Sequence, residues 1–251
     1  MRVSLVIPMY NEAARVPQTL ARLTAYLEQT LPGQHELIFV NDGSTDDSAA
    51  LVSACGKETV RLVSYETNRG KGYAVRQGML AASGEVVLFT DCDLAYGTGA
   101  IGDLWRAFEE HPDADVVTGS RKLLAEGYEG YTKKRKMLSK VYYFVVSVLT
   151  GLKLSDSQCG LKGFRRAVVQ AVFPHCRVNR FAFDLEVLML AQKAGATMLE
   201  IPAKILEHGE SSMHLLRDSL TMLRDLLRIR RTVRKTHLPP LKPPPKEAGT
   251  P

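Results

Sequence analysis

Short apolar runs alternate with amphipathic stretches through the first 120 positions of the chain. Runs at Val3–Pro8, Glu36–Val40, Val60–Tyr65, Val86–Thr90 and Asp115–Thr118 have the length and the flanking turn residues of strands. Apolar positions at helical spacing predict helices between them at Glu12–Gln29, Asp46–Ala54, Gly72–Ala82 and Ile101–His111. A β-α-β-α order of this kind predicts an α/β fold, a Rossmann-like and mostly parallel sheet flanked by helices on both faces. Such sheets take ligands at the carboxyl ends of their strands, so the segments just after each strand are the places to look for chemistry.

The alternation breaks at Ser120–Lys140, a Lys-, Arg-, Gly- and Tyr-rich stretch that reads as a loop leading into a helix. A helix follows at Phe183–Ala194, then a strand at Thr197–Pro202, then a long helical pattern from about Met213 to Thr236. In that last pattern Leu215, Leu216, Leu220, Leu223, Leu226 and Leu227 fall on one stripe, with Arg217, Arg224, Arg228 and Arg231 on the other side. A basic amphipathic helix of this type either lies in a membrane interface or packs on protein. The tail from Leu238 to Pro251 holds six of the twelve prolines and is expected to be disordered. The expected organisation is therefore a catalytic-type α/β domain over 1–211, a membrane-facing or packing helix over 212–237, and a Pro-rich tail over 238–251.

Three strand ends carry carboxylates: Pro8-Met9-Tyr10-Asn11-Glu12, Asn41-Asp42-Gly43-Ser44-Thr45-Asp46 and Asp91-Cys92-Asp93. Carboxylates gathered at one sheet edge repel one another and need a cation or hydrogen-bond donors to persist. If the chain turns at Asp91-Cys92-Asp93, both side chains reach one pocket; if it stays extended, they diverge. A Mg²⁺ or Mn²⁺ ion held by one or two carboxylates and substrate phosphates suits the first geometry, and a plain acidic turn suits the second. Asp42, first after its strand, is placed to accept from a base edge or a ribose, whereas Thr45 or Asp46 reads as a helix cap. Asn68-Arg69-Gly70-Lys71-Gly72 sets a lysine between glycines before a helix, which suits a phosphate, although a turn with a solvated lysine has the same spelling. Gly97-Thr98-Gly99-Ala100-Ile101-Gly102 spells a dinucleotide fingerprint but does not follow the first strand, and reads as a loop entering a helix.

Composition narrows the classes further. Hydrophobic residues are 45% of the 251, enough for a sizeable core, and the net charge of +6 favours anionic partners without choosing among them. The basic runs lack interleaved aromatic residues, which argues against nucleic acid. The four cysteines have neither zinc-knuckle nor redox-pair spacing and read as reduced thiols in the cytoplasm. The longest apolar run, Val141–Leu152, is broken by Ser147 and Thr150 and is too short to span a bilayer.

The strand-one V-I-P-M-Y-N-E, then N-D-G-S-T-D-D-S, N-R-G-K-G-Y-A-V-R-Q-G and T-D-C-D-L-A, resemble family 2 glycosyltransferases of the GT-A fold. With G-S-R at 119–121, S-Q-C-G-L-K-G-F at 157–164 and F-A-F-D-L-E at 181–186, the chain looks like dolichyl- or polyprenyl-phosphate glucosyltransferases over about Val3 to Arg231. The resemblance implies an inverting transfer of a sugar, first glucose, from a nucleotide-diphosphate sugar, first UDP-glucose, to a polyprenyl phosphate. It implies a nucleotide-sugar site of Pro8, Tyr10, Asn11, Glu12, Asp42, Gly70, Lys71, Asp91 and Asp93, and a Mg²⁺ or Mn²⁺ ion at Asp91 and Asp93. Arg121, Arg135 and Ser139 would hold the acceptor phosphate, and Asp184 would act as base or orient the sugar or Lys162. His208 would reach the site from a late loop or stay on the surface. Expected partners are the sugar donor, the lipid phosphate, the cytoplasmic face of a membrane as a peripheral protein, and further copies of the chain. Two other functions fit the same residues: transfer to a soluble or glycan hydroxyl with Asp184 as base, and a catalytically silent nucleotide- or lipid-binding adaptor.

Overall fold

The computed structural model describes residues 2–124, 137, 146–180, 182–206 and 215–241, and of 215–224 the backbone alone. Its elements run β1 (Val3–Met9), α1 (Val16–Thr30), β2 (His35–Asp42), α2 (Ser48–Ser53), β3 (Val60–Tyr65), α3 (Lys71–Ala81), β4 (Val86–Phe89), α4 (Gly99–Glu110), β5 (Val116–Ser120), β6 (Lys162–Arg165), α5 (Arg166–Val172), α6 (Phe183–Lys193), β7 (Met198–Pro202) and α7 (Leu215–Lys235). The seven strands form one sheet in the order β3-β2-β1-β4-β6-β5-β7. Every pairing is parallel except those of β6, which runs antiparallel between β4 and β5. This is the expected α/β class.

The sheet is covered on both faces, which is why its strands read as apolar runs. Val6, Ile38, Val40, Val87, Phe89, Val116 and Phe164 face one core with α3, α5 and α6. Their alternates Leu5, Ile7, Leu37, Phe39, Leu88 and Val117 face the other with α1 and α4. Each side chain fully buried in this way contributes about 1.5–3 kcal/mol.

The structure changes or sharpens the sequence expectations at four places. Helix α1 starts at Val16, with Pro17 in its first turn, not at Glu12. A proline favours that position, and the backbone before it is tied to another loop. Strand β6 and helix α5 were not foreseen, because Lys162-Gly163-Phe164-Arg165 shows neither an apolar run nor an alternation. The last helix packs on the fold through its second half: Leu226, Ile229 and Val233 are buried in the first core, while Leu227 stays exposed. Lys193 Nζ donates to the carbonyls of Val233 and Arg234 at its C-terminus, at 2.7 and 2.8 Å. The expected tail begins docked, since Leu241 N donates to Ala194 O at 2.9 Å; positions 242–251 lie outside the described residues.

Candidate active site

The ends of β1 and β2 are laced together. Asn11 has a positive φ of 54°. Its Oδ1 accepts from Thr45 N at 2.8 Å, and its own N–H donates to Ser44 Oγ at 3.0 Å. Glu12 N donates to Ser48 Oγ at 2.8 Å, and Ala13 N to Asp46 Oδ2 at 3.0 Å. Asp46 thus joins two loops as well as accepting from Ser48 N at 3.0 Å. Glu12 pairs with Arg15 at 2.7 Å, Pro8 is buried within β1, and Tyr10 beside it is 46% exposed.

Asp42 ends β2 almost fully buried. Its Oδ1 accepts from Tyr65 Oη and Arg69 N, both at 2.8 Å, and its Oδ2 from Gly70 N at 2.8 Å. One carboxylate therefore sets the loop that launches α3. Gly70 caps that helix with φ 98°, and a Cβ there would meet Asn179 O at 2.5 Å, so only glycine fits. Tyr73 carries Arg69 and Arg76 over its ring, 5.0 and 4.8 Å from the centroid.

Lys71, the first residue of α3, forms an ion pair with Asp91 at the end of β4. The chain does turn there: Leu94 N donates to Asp91 O at 3.1 Å, Leu94 takes φ 49°, and Ala95 N donates to Asp93 Oδ1 at 3.1 Å. Asp91 is thus paired with Lys71, and the charge of Lys71 also acts on Asp93. Gly160, in the segment leading to β6, lies against Asp91 Oδ2, where any Cβ would collide. Burial first, then the charge of Asp91, pushes the Asp93 carboxyl above its ordinary value. Burial pulls the Lys71 ammonium down, but Asp91, Asp184 and Asp93 outweigh it and leave it raised.

Beneath this pair lies a second. Lys162 on β6 is fully buried, with Nζ 2.8 Å from Asp184 Oδ1 in the first turn of α6. The same ammonium donates to Cys159 O and sits 5.7 Å from the Phe89 ring. The contact with Asp184 is an ion pair off the hydrogen-bonding direction. Burial pushes the Asp184 carboxyl up, against the pull of Lys162 and then Lys71. Glu186, two residues on, instead accepts from Arg177 N and Val178 N at 2.8 and 2.7 Å and holds the loop that abuts Gly70.

A third pair flanks these at the end of β5. Arg121 donates to Asp156 through Nε at 2.6 Å and Nη2 at 2.8 Å, and through its backbone N at 3.2 Å. Burial would raise the Asp156 carboxyl, but the bonds from Arg121 outweigh it and hold it low. The sequence reading missed Asp156, although it is the only acid between Glu129 and Asp184. Arg135, Ser139 and His208 lie outside the described residues.

Asp91, Asp93, Lys71, Asp184 and Lys162 thus share one electrostatic neighbourhood, with Asp42 one loop away through Gly70 N. Among the described residues no group of three His, Cys, Asp or Glu forms a protein-only metal cage. Asp91 and Asp93 are hard oxygen donors two positions apart in one turn, and the Asp93 carboxyl is raised first by burial and then by the charge of Asp91, a repulsion that a cation would offset. They fit a divalent ion whose shell is completed by phosphate and water, as Mg²⁺ sites generally are.

The sequence profile of glycosyl transferase family 2 matches residues 4–173. A dolichyl-phosphate beta-glucosyltransferase of Dictyostelium discoideum is 31% identical over 243 residues, covering 91% of this chain and 73% of that protein. One from Drosophila melanogaster is 34% identical over 242 residues, covering 91% and 74%. Among solved structures, glucosyl-3-phosphoglycerate synthase from Mycobacterium tuberculosis, in complex with UDP, superposes with a TM-score of 0.69 at 17% identity, over 94% of this chain and 81% of that one. That likeness shows the fold.

Proposed function

The chain belongs to glycosyl transferase family 2 and is a glycosyltransferase, and on that premise we propose that it moves glucose from UDP-glucose to a polyprenyl phosphate with inversion at the anomeric carbon. The observation that carries this reading is the row of charges at one sheet edge: Asp91–Lys71 for the donor diphosphate, Asp184–Lys162 beneath, and Arg121–Asp156 beside them. The dolichyl-phosphate enzymes named above supply the sugar and the acceptor class.

Asp42 and the loop it fixes hold the nucleoside, with Tyr10 exposed beside them. Lys71, preset by Asp91, faces the diphosphate at the N-terminus of α3, where backbone dipoles also favour anions. A Mg²⁺ or Mn²⁺ ion at Asp91 and Asp93 would offset negative charge on the leaving diphosphate. Arg121 receives the acceptor phosphate, whose ionised oxygen attacks the anomeric carbon on the face opposite the UDP. A phosphate nucleophile is already ionised, so it needs placement and neutralised charge more than a base. Asp184, buried against Lys162, then orients Lys162 and the sugar, and no base is asked of it.

The exposed side of α7 presents Arg228, Arg231, Arg234 and Lys235, while its apolar residues Leu226, Ile229 and Val233 are spent on the core. Among the described residues no helix is long and apolar enough to cross a membrane. These basic residues would draw the helix to the cytoplasmic face of a membrane, at about 1 kcal/mol per basic residue near an anionic surface.

The test is an assay with radiolabelled UDP-glucose, polyprenyl phosphate and Mn²⁺. Label passing into the organic phase as a glucosyl lipid is the expected result. Label found only as free glucose or on a water-soluble acceptor overturns the lipid-phosphate acceptor.

A further inference from the structure

Strand β7 lies at the sheet edge, in parallel register with β5, Glu200 opposite Thr118 and Pro202 opposite Ser120. A glutamate in such a strand normally points to water. Glu200 instead accepts four hydrogen bonds from one turn: Ser155 N to Oε1 and to Oε2, each at 2.8 Å, Ser155 Oγ to Oε1 at 2.8 Å, and Asp156 N to Oε1 at 3.0 Å. The same turn is tied to β5, because Ser155 Oγ and Ser120 Oγ lie 2.5 Å apart. Asp156, carried by that turn, grips Arg121 through both Nε and Nη2.

We propose that Glu200 is a positioning residue: through the Ser155–Asp156 turn it fixes the plane in which the Arg121 guanidinium meets the acceptor's anionic group. The physical reason is the fork geometry of the guanidinium. Two parallel N–H bonds to one carboxylate lock its plane, but only as firmly as that carboxylate is held. Asp156 stands on an irregular segment outside helix and strand, where the backbone has no ladder to hold it. Glu200 supplies the missing acceptors from a regular strand. This rests on the reading of Arg121 as the acceptor-phosphate ligand.

Two variants and two readouts test it. In Glu200→Ala the KM for polyprenyl phosphate rises about tenfold or more, as small misplacements of a positioned group do, while the KM for UDP-glucose stays within about twofold. Glu200→Gln recovers most of the loss, because three of the four bonds converge on Oε1, where an amide oxygen serves as well. It also guards against a misfolded alanine variant. Separately, isotope-labelled arginine NMR follows the Arg121 Nε–H, which exchanges slowly in the parent and at least about tenfold faster in Glu200→Ala. An unchanged Nε–H exchange, or a KM change shared equally by donor and acceptor, overturns the proposal. If the parent transfers nothing to polyprenyl phosphate, the acceptor reading fails, and the exchange measurement alone judges the hold of Glu200 on Arg121.

Discussion

Glu36, in β2, and Asp93, after β4, stand at opposite edges of the same sheet, and their surroundings run opposite ways. Glu36, near the start of β2, accepts from Ser4 Oγ at 2.6 Å, Ser83 N at 2.6 Å and Ser83 Oγ at 2.7 Å, and pairs with Arg61 at 2.8 Å. Burial works against its charge, but those bonds outweigh it and hold the carboxyl down at about 2. At the carboxyl edge, Asp93 and Asp184 are raised by burial that their donors do not offset. A saturated carboxylate holds a fold together. Under-satisfied ones, kept beside lysines, are the mark of a site that awaits charge from a ligand.

The sharpest way to break this comparison is Asp93→Ala. Transfer activity should fall by about 10³-fold or more, with the melting temperature within a degree or two of the parent. Near-parental turnover from UDP-glucose would remove Asp93 from the donor site. Next comes Lys162→Met, which strands Asp184 without its partner. Loss of one member of a buried pair costs about 3–5 kcal/mol, read as a lowered urea midpoint, and adding Asp184→Asn should restore much of it. A single variant as stable as the parent would mean the pair is not coupled.

Glu36→Gln comes third, and it should cost stability and leave kcat alone. The shift of Glu36 from 4.5 to about 2 corresponds to about 3 kcal/mol. Because the native value is depressed, that contribution is present above about 4.5 and is lost as pH falls toward about 2. Acid unfolding curves of parent and variant should therefore converge across that window; parallel curves would contradict the assignment. Asp184 has the reverse sign: its raised value means acid relieves a cost there. The smallest effect is on the outer face of α7. Reversing Arg228 and Arg231 to Glu should weaken sedimentation with anionic vesicles several-fold at low salt and little at high salt, with activity toward a detergent-solubilised acceptor unchanged. Binding insensitive to both charge and salt would mean that this face does not dock on lipid.

Much of this edge was legible in the sequence, because its signals are local. Apolar period and turn residues gave β1 to β5 and β7, and the acids after β1, β2 and β4 follow from strand ends alone. Strand β6 was hidden, since a lysine and a glycine in it hide the apolar pattern. Asp156 and Glu200 went unseen because their partners are 35 and 45 residues away. The last helix kept two readings open, as its leucine stripe fits lipid and protein equally well until Leu226, Ile229 and Val233 are seen in the core.

By itself, then, the sequence determined the class of fold, the order of its elements and which acids stand after which strands, because hydrophobic period and turn chemistry act over a few residues. Tertiary structure alone decided that Asp91 pairs with Lys71, that Lys162 pairs with Asp184 and that Glu200 accepts from the Ser155–Asp156 turn. The Lys162–Asp184 pair depends on β6 entering the sheet between β4 and β5, and the energy of a buried charge is fixed by what the whole fold brings within a few ångströms of it.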